Sequence, residues 1–242
     1  MTKPLSIQNL LSGKLSAGVN VFLGVAGRAT ERIESVIVEQ LDVIRSAHAN
    51  ALPSGFAASR QLYKSLHIDP TKHRPSAEAL WRRLRDKNDF PRLNPLVDLT
   101  NLLSLKFQIS FGLYDLDRVH GPVIISLGDE NDHYQGIRKD TLYFNGKIVL
   151  RDERGAFGNP SADSLRASVG EHSSNIMQVL FFQAHDELKK RIMSETTALF
   201  KQFFTWDRAL SFLIETDAAQ GISLEGDTCK TNAAQTRLPN PG

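Results

Sequence analysis

The sequence lacks most features that identify common functional classes. Its one cysteine, Cys229, cannot form an internal disulfide, and no Cys/His set has zinc-finger spacing. It has no apolar run of membrane-spanning length, and its first residues lack the apolar core of a signal peptide. Lys+Arg number 29 against 27 Asp+Glu, which neither requires nor excludes RNA as a partner. We expect a cytoplasmic protein that does not bind a membrane.

The usual catalytic motifs are also missing. The sequence contains no GxxxxGK[ST], no GxGxxG after a strand, no HExxH and no GxSxG. The seven histidines are scattered, and His67 and His73 flank DPTK at a spacing that matches no standard ligand pair. Histidines in a solvated loop are the better interpretation of this pair. We therefore expect no metal and no cofactor.

What is present is an ordinary globular pattern of 242 residues with 41% hydrophobic content. Apolar spacing and turn residues predict strands over 19–25, 122–127 and 175–182, a hairpin over 141–151 joined by Asn145-Gly146, and helices over 30–47, 59–66, from Pro75, over 96–107 and over 187–204. Thr30 is expected to cap its helix. Strands and helices without a regular βαβ rhythm predict an α+β fold.

The last predicted helix carries many apolar residues, with Leu188, Ile192, Leu199 and Phe203 expected to point inward. They could pack on the core or on a second copy, which leaves both a monomer and a homodimer open. Beyond Ala218 the residues are mostly Gly, Ser, Thr, Asn and Pro, which predicts a disordered tail.

Four blocks carry a resemblance to a known family: LYK-x-L-x-x-DP, RPS-x-EAL, R-x-NPLVD-x-x-N and YD-x-D, between Arg60 and Asp117. Together they closely resemble the B3/B4 domain, the tRNA-editing module of the bacterial phenylalanyl-tRNA synthetase beta subunit, and most closely its freestanding relatives. The resemblance covers roughly residues 18–184 and predicts a B3/B4-like domain there. Composition and apolar spacing predict an N-terminal segment over 1–17, an amphipathic helical extension over 185–217 and a tail over 218–242.

The resemblance implies a B3/B4-like sheet sandwich with flanking helices. It also implies a pocket for an amino acid esterified to the tRNA 3′ end. The implied activity is trans-editing, the hydrolysis of a mischarged aminoacyl-tRNA released by another enzyme, with no DNA partner. A fold alone does not settle a function. The alternative is a module that binds RNA or an amino-acid-like ligand without catalysis.

The segment NPLVDLTN, residues 94–101, combines apolar and short polar residues. The resemblance implies pocket roles for Thr100 and Asn101, which we take as the catalytic candidates because amides and hydroxyls can aim a water and stabilise an oxyanion. Asp98 is better explained as a helix cap that bonds backbone N–H groups near Thr100 and Asn101. Asn94 is a substrate-binding candidate whose more probable use is structural, in a turn.

Two departures from the synthetase pattern concern substrate recognition. Gly112 stands where the synthetase has a histidine, which should leave room for a different or larger group. Gln178, a lone amide in an apolar strand, is either an edge residue or a substrate reader. The adjacent Tyr114 and Asp115 of the YD-x-D block are further substrate-binding candidates. Arg92 could hold a carboxylate or phosphate, or pair with Asp115 or Asp117.

Helix RPSAEAL supplies the remaining candidates. Arg74 and Glu78 could bind substrate, although an ion pair between them is preferred, and Tyr63 could stack on a terminal adenine or pack in the core. The densest positive cluster in the chain is the candidate for contact with tRNA phosphates, although it could be only a solvated helix face. This cluster consists of Arg82, Arg83, Arg85 and Lys87.

Overall fold

The structure is a computed structural model that describes residues 5–25, 27–28, 30–47, 52–137 and 140–224, with only the backbone of 27, 28, 30 and 31. The helices in these ranges are Thr30–Ala47 (α1), Phe56–Ser65 (α2), Ser76–Lys87 (α3), Pro95–Phe107 (α4) and Lys189–Phe203 (α5). The strands are Leu5–Asn9 (β1), Leu15–Leu23 (β2), Gly27–Arg28 (β3), Ser110–Asp115 (β4), Val123–Leu127 (β5), His133–Gln135 (β6), Thr141–Tyr143 (β7), Ile148–Asp152 (β8), Gly155–Gly158 (β9), Ile176–Gln183 (β10), Phe204–Thr205 (β11), Arg208–Ile214 (β12) and Gln220–Ile222 (β13).

Two larger sheets pack face to face. One has the strand order β13-β1-β5-β8-β9 and the other β12-β2-β10-β4. Alternate residues of β2 and β10, such as Val19 and Val179, join Ile125 and Leu150 of the opposite sheet in one apolar core. The other face of the four-stranded sheet packs on α1, α4 and α5. Strands covered on both faces read as continuous apolar runs. The predicted α+β sandwich with flanking helices is confirmed.

The centre of the four-stranded sheet aligns polar residues in one row. Gln178 of β10 lies opposite Asn20 of β2 on one side and opposite Leu113 of β4 on the other. Asn20 in turn lies opposite Ser211 of β12. Because side chains alternate between faces, residues in register share one face of the sheet. Here that face is the one covered by helices.

The hairpin prediction is wrong. The Asn145-Gly146 turn exists, with Gly146 at φ +68°, but its two flanking strands do not pair. β7 pairs with β6, whereas β8 pairs with β5 and β9. The turn therefore passes the chain from a small two-stranded sheet into the large one. A turn signal fixes the local direction of the chain, while the burial of β8 between its neighbours decides the pairing.

The first and the last strands of the described residues are part of the sandwich. Leu5 of β1 lies opposite Ile222 of β13, and β12 forms the edge of the four-stranded sheet. The predicted N-terminal segment therefore supplies β1 and the start of β2. The predicted tail is likewise not disordered over 218–224. Residues 225–242 of that tail lie outside the described residues.

Helix α1 has the predicted bounds, although the predicted Thr30 cap lies outside the described side chains. β4 was not predicted. Leu188 is wrong as an inward residue, since it is 47% exposed. Ile192, Phe200 and Phe203 of α5 are buried against the chain's own sheet and helices, which removes the apolar surface that favoured a homodimer. None of the described helices is both long and apolar enough to cross a membrane.

Candidate functional site

The N-terminus of α4 is capped by Asn94. Its Oδ1 accepts hydrogen bonds from the backbone N–H groups of Leu96 and Val97, each at 3.1 Å. The expectation that Asp98 caps this helix is wrong. Asp98 instead accepts from the backbone N–H of Leu93 at 2.8 Å, which fixes the chain ahead of the helix. Asn94, a substrate-binding candidate, is therefore engaged in structure.

Arg92 is held by two carboxylates. Its Nε lies 3.1 Å from Oδ2 of Asp98, and its terminal nitrogen lies 2.5 Å from Glu34 of α1. Asp115 and Asp117 are therefore wrong as its partners. Asp115 is buried and accepts from the Ser173 hydroxyl at 2.6 Å. Both Arg92 and Asp115 join separate parts of the chain, and neither lines the cavity described below.

Gln178 and Thr100 belong to one buried hydrogen-bond network, which we call the amide network and which consists of Asn20, Thr100 and Gln178. Gln178 accepts from the Asn20 amide at 3.0 Å and donates to Oγ1 of Thr100 at 3.3 Å. Thr100 also donates to the carbonyl of Leu96 at 2.9 Å. Asn20 accepts from the Ser211 hydroxyl at 2.7 Å. Because these buried groups satisfy one another, the network stabilises the fold without a ligand.

The space beside Gly112 is filled. A Cβ atom on Gly112 would lie 2.2 Å from the Tyr114 hydroxyl, and one on Gly158 would lie 2.4 Å from it. The expectation that Gly112 leaves room for a larger group is therefore wrong. Tyr114 is fully buried with its ring edge-on to Phe157, at a centroid distance of 5.2 Å. Its hydroxyl makes no hydrogen bond of ordinary geometry with the described residues. Burial, reinforced by the nearby charge of Asp163, raises its pKa.

Glu78 is the centre of a buried ion cluster. It is inaccessible to solvent and accepts from Arg60 at 2.7 and 2.8 Å and from Arg82 at 3.0 Å. Arg74 lies 3.6 Å away, so the preferred Arg74–Glu78 pair is confirmed. Burial alone would raise the pKa of Glu78, but hydrogen bonds from Arg60 and Arg82 outweigh it and lower the pKa below its ordinary value. Glu78 is therefore ionised and joins α2 to α3.

The arginines predicted to contact phosphate each have a protein partner. Arg83 pairs with Asp89 at 2.6 Å, and Arg85 pairs with Asp86 at 2.7 Å. Arg82 is bound to Glu78, as described above. A phosphate at this face would compete with carboxylates that are already in place, so the cluster is a weaker electrostatic target than its sequence indicates.

A cavity of about 280 Å³ opens between α3, α4, β4 and the loop after β9, and we call it the Asn101 cavity. It is lined by Ser76, Ala79, Leu80, Arg83, Pro91, Asn101, Ser104, Phe111, Ser161 and Asp163. Asn101 projects there although Thr100, one residue earlier, points into the amide network. A helix turns by about 100° per residue, which is enough to separate the two environments.

Asp163 is the acidic side chain that lines the Asn101 cavity. Its carboxyl is partly exposed and makes no hydrogen bond or ion pair with any residue in the described part of the chain. Burial without a compensating partner raises its pKa to about 7. A carboxyl that titrates near neutrality in a cavity is a typical general acid or base. Asn101 of α4, which lines the same cavity, likewise has a side-chain amide without a hydrogen-bond partner among the described residues.

Ser161 closes one side of the cavity. Its hydroxyl lies 2.8 Å from that of Tyr63, and its backbone N–H is held by Asn159 at 2.7 Å. Tyr63 is thus a core tyrosine with a bonded hydroxyl, and burial raises its pKa. The carbonyl of Pro160 accepts from the backbone N–H of Ser76 at 3.0 Å, which ties the loop to α3. The described residues contain no cluster of His, Cys, Asp and Glu that could hold a metal.

The sequence model of the B3/4 domain family matches residues 58–208, well over half of the chain. The chain belongs to the B3/4 domain family. The matched range includes most of α2, all of α3 and α4, and every residue that lines the Asn101 cavity. It ends at 208 rather than at the 184 expected from the sequence blocks, so α5 lies inside the family match.

Individual relatives of this B3/4 protein are distant. Uncharacterized protein YhzB of Bacillus subtilis (strain 168) is 27% identical over 107 residues, covering 43% of this chain and 45% of that protein. An N-terminal fragment of the phenylalanyl-tRNA synthetase beta-subunit from Pyrococcus horikoshii superposes with a TM-score of 0.42 and 10% identity, covering 81% of this chain and 49% of that one. The chain thus spans about half the length of each of these proteins.

The sequence reasoning missed Ser161 and Asp163. They lie in the loop segment NPSAD, which has no periodicity and no motif, and nothing local distinguishes Asp163 from a solvated loop carboxylate. One signal was available. Pro160 and the Asn159 side chain fix the segment in a turn, and a rigid loop is a common position for a functional side chain.

Proposed function

We propose that this B3/4 protein hydrolyses the aminoacyl ester of a mischarged tRNA in the Asn101 cavity. The observation that carries the proposal is Asp163, a carboxyl without a partner among the described residues, with a pKa of about 7, in the same cavity as the unpaired Asn101 amide. Family membership and the resemblance of NPLVDLTN to the synthetase editing segment support the substrate class.

The chemistry needs only a base and an oxyanion donor. Ionised Asp163 accepts a proton from a water, whose oxygen bonds to the ester carbonyl carbon. The Asn101 amide N–H donates to the carbonyl oxygen as negative charge develops there. The bond from carbonyl carbon to ribose oxygen then breaks, and the proton held by Asp163 passes to that leaving oxygen. The products are a free amino acid and a tRNA with its terminal hydroxyl restored.

Thr100 has a different part in this proposal. It does not line the cavity, and its hydroxyl is occupied by Leu96 and Gln178. It acts as a positioning residue that fixes the rotation of α4 and thereby the direction of Asn101. Of our two catalytic candidates, Asn101 alone keeps a proposed contact with substrate.

The test is a deacylation screen over a broad panel of mischarged tRNAs. We expect faster hydrolysis than in buffer for at least one, with a rate that rises through pH 7 as Asp163 ionises. Asp163→Asn should lower the rate by about 100-fold or more, and Asn101→Ala by about 10- to 100-fold. The matched controls are Asp217→Asn and Asn131→Ala, both exposed, which should leave the rate unchanged. A panel without hydrolysis, or an Asp163→Asn variant with full activity, contradicts the proposal.

One observation favours a second candidate, a module that binds an amino-acid-like ligand without turnover. No histidine is among the described residues that line the Asn101 cavity. The ionised carboxylate of Asp163, whose pKa is about 7, could bind an ammonium group instead of activating water. Thermal stabilisation by free amino acids, lost in Asp163→Asn and unaccompanied by hydrolysis of any ester, would favour this candidate over the first.

A further inference from the structure

A second cavity adjoins the Asn101 cavity. It has a volume of about 220 Å³, and Ser161 lines both. We call it the cationic cavity, and its walls are Tyr63, Ile68, Lys72, His73, Arg74, Leu142, Tyr143, Phe144, Lys147, Ile148, Asn159, Ser161 and Ala162. Four of these carry basic groups, and none of the described lining residues is an aspartate or glutamate. The cavity therefore complements an anion.

The basic groups come from two separate parts of the chain. Lys72, His73 and Arg74 precede α3, whereas Lys147 follows β7. Burial is the largest cause that lowers the pKa of His73, and the positive charges of Lys147 and Lys72 lower it further, while the charge of Asp69 acts in the opposite direction. Lys72 has no ion pair among the described residues. Lys147 donates to the carbonyl of Tyr143 at 2.6 Å and keeps two further N–H groups.

Arg74 is only loosely held. Its Nε is buried, makes no hydrogen bond among the described residues and lies 3.6 Å from a Glu78 oxygen that already accepts from Arg82. The rest of the side chain is accessible, since it is 38% exposed, and its terminal nitrogens make no hydrogen bond among the described residues. An anion in the cationic cavity would thus find one donor in addition to the two lysines.

An aromatic surface completes the cavity. Tyr143 is 63% exposed, which is unusual for an aromatic side chain of this size, and its ring tilts against that of His133 at a centroid distance of 5.7 Å. The neighbouring Phe144 is buried. An exposed tyrosine beside cationic groups is the arrangement by which proteins stack a base while they neutralise its phosphate.

We propose that the cationic cavity binds the 3′-terminal nucleotide of the tRNA, with its phosphate at Lys72, Arg74 and Lys147 and its adenine on Tyr143. This inference rests on the proposed function, since the amino acid esterified to that nucleotide would pass Ser161 into the Asn101 cavity. The volume is below the roughly 300 Å³ at which pockets for drug-sized ligands begin. It therefore suits one phosphate with its sugar, while the adenine lies at the rim on the exposed Tyr143 ring.

The test is calorimetric titration of the whole chain with adenosine 5′-monophosphate and, separately, with inorganic phosphate. Lys72→Ala/Lys147→Ala should weaken binding of the nucleotide by roughly tenfold or more, and Tyr143→Ala by about five- to tenfold. The matched control is Lys190→Ala/Lys201→Ala, which removes the same charge from α5 and should change nothing. Affinity should also fall as salt rises.

Several results would overturn the inference. They are the absence of nucleotide binding, binding of inorganic phosphate as tight as that of the nucleotide, and an equal loss of binding in the α5 control. The readout is independent of turnover. Nucleotide binding by a chain that hydrolyses no ester would support a nucleotide site in the cationic cavity and contradict the proposed function. Hydrolysis without nucleotide binding would support the proposed function and contradict the nucleotide site.

Discussion

Thr100 and Asn101 are neighbours in one helix, yet their side chains lie in opposite surroundings. The Thr100 hydroxyl is buried and bonded to Leu96 and Gln178. Asn101 faces the Asn101 cavity together with Asp163, and neither has a partner among the described residues. Polar groups of the first kind stabilise the fold, whereas those of the second kind remain available to a ligand. The difference separates structure from function more sharply than residue type does.

The largest difference in the free energy of unfolding should be between substitutions of two amide side chains, Gln178 and Asn101. Gln178→Leu leaves the Asn20 amide buried without its acceptor, so we expect the free energy of unfolding to fall by about 2–3 kcal/mol. Asn101→Ala should change it by less than about 0.5 kcal/mol, because the Asn101 side chain makes no hydrogen bond among the described residues. Urea denaturation measures both, with exposed Gln61→Leu as the control for the first. Equal losses in the two variants would remove the distinction between the network and the cavity.

Tyr114 is an intermediate case, buried and without an ordinary hydrogen bond but tightly packed. Gly112→Ala should cost about 1–2 kcal/mol, because the new methyl group overlaps the Tyr114 hydroxyl. Tyr114→Phe should be neutral or slightly stabilising, since the hydroxyl has no strong bond to lose. The double variant should recover part of the loss, as measured in a double-mutant cycle. Additive effects would show that Gly112 and Tyr114 do not compete for one space.

Asp163 should reduce stability in a pH-dependent way. Below pH 3.8 the carboxyl is protonated in both the folded and unfolded chains. Between there and about 7 the unfolded chain loses this proton while the folded chain keeps it, so stability falls and stays reduced above pH 7. Asp163→Asn removes that loss. We expect the variant to be more stable than the wild type by on the order of 1 kcal/mol at pH 8, because partial exposure weakens the effect, and equal to it near pH 4.

The stability difference between wild type and Asp163→Asn at pH 4 is the control for the difference at pH 8. Denaturation curves of wild type and Asp163→Asn that differ equally at both values would mean that the carboxyl has an ordinary pKa. The proposed role as a base near neutrality would then lose its support.

The smallest effect concerns the arginines of α3. Arg85 and Asp86 form an ion pair between adjacent, largely exposed side chains. Arg85→Ala should change the free energy of unfolding by less than about 0.5 kcal/mol. If tRNA binds, this substitution should weaken it less than Lys72→Ala/Lys147→Ala does, because Arg85 already has a partner. A filter-binding measurement with the reverse order would favour the helix face as the phosphate site.

Much of the fold could be predicted because its signals are local. The bounds of α1 and the approximate extents of α4, α5 and β10 follow from apolar spacing. The hairpin prediction failed because the pairing of β8 depends on β5, a strand that is distant in the chain from the predicted turn. β13 was also unpredictable, since its short sequence pairs with β1, a strand distant from it in the chain. Asn94 was predicted to be structural, but in a turn, whereas it caps α4. Asp98 was predicted to be the cap, whereas it binds the backbone ahead of the helix.

The family, the α+β class and the helix that carries Thr100 and Asn101 follow from residue type and spacing within short windows of the chain. Which polar groups are satisfied depends on contacts between residues that are far apart in the chain. Gln178 is 158 residues from Asn20 and 78 from Thr100. The pairing of β10 with β2 brings Gln178 to Asn20, and the packing of α4 on the four-stranded sheet brings Gln178 to Thr100. The same packing leaves Asn101 and Asp163 facing one cavity, since a helix that buries one residue must turn the next one away.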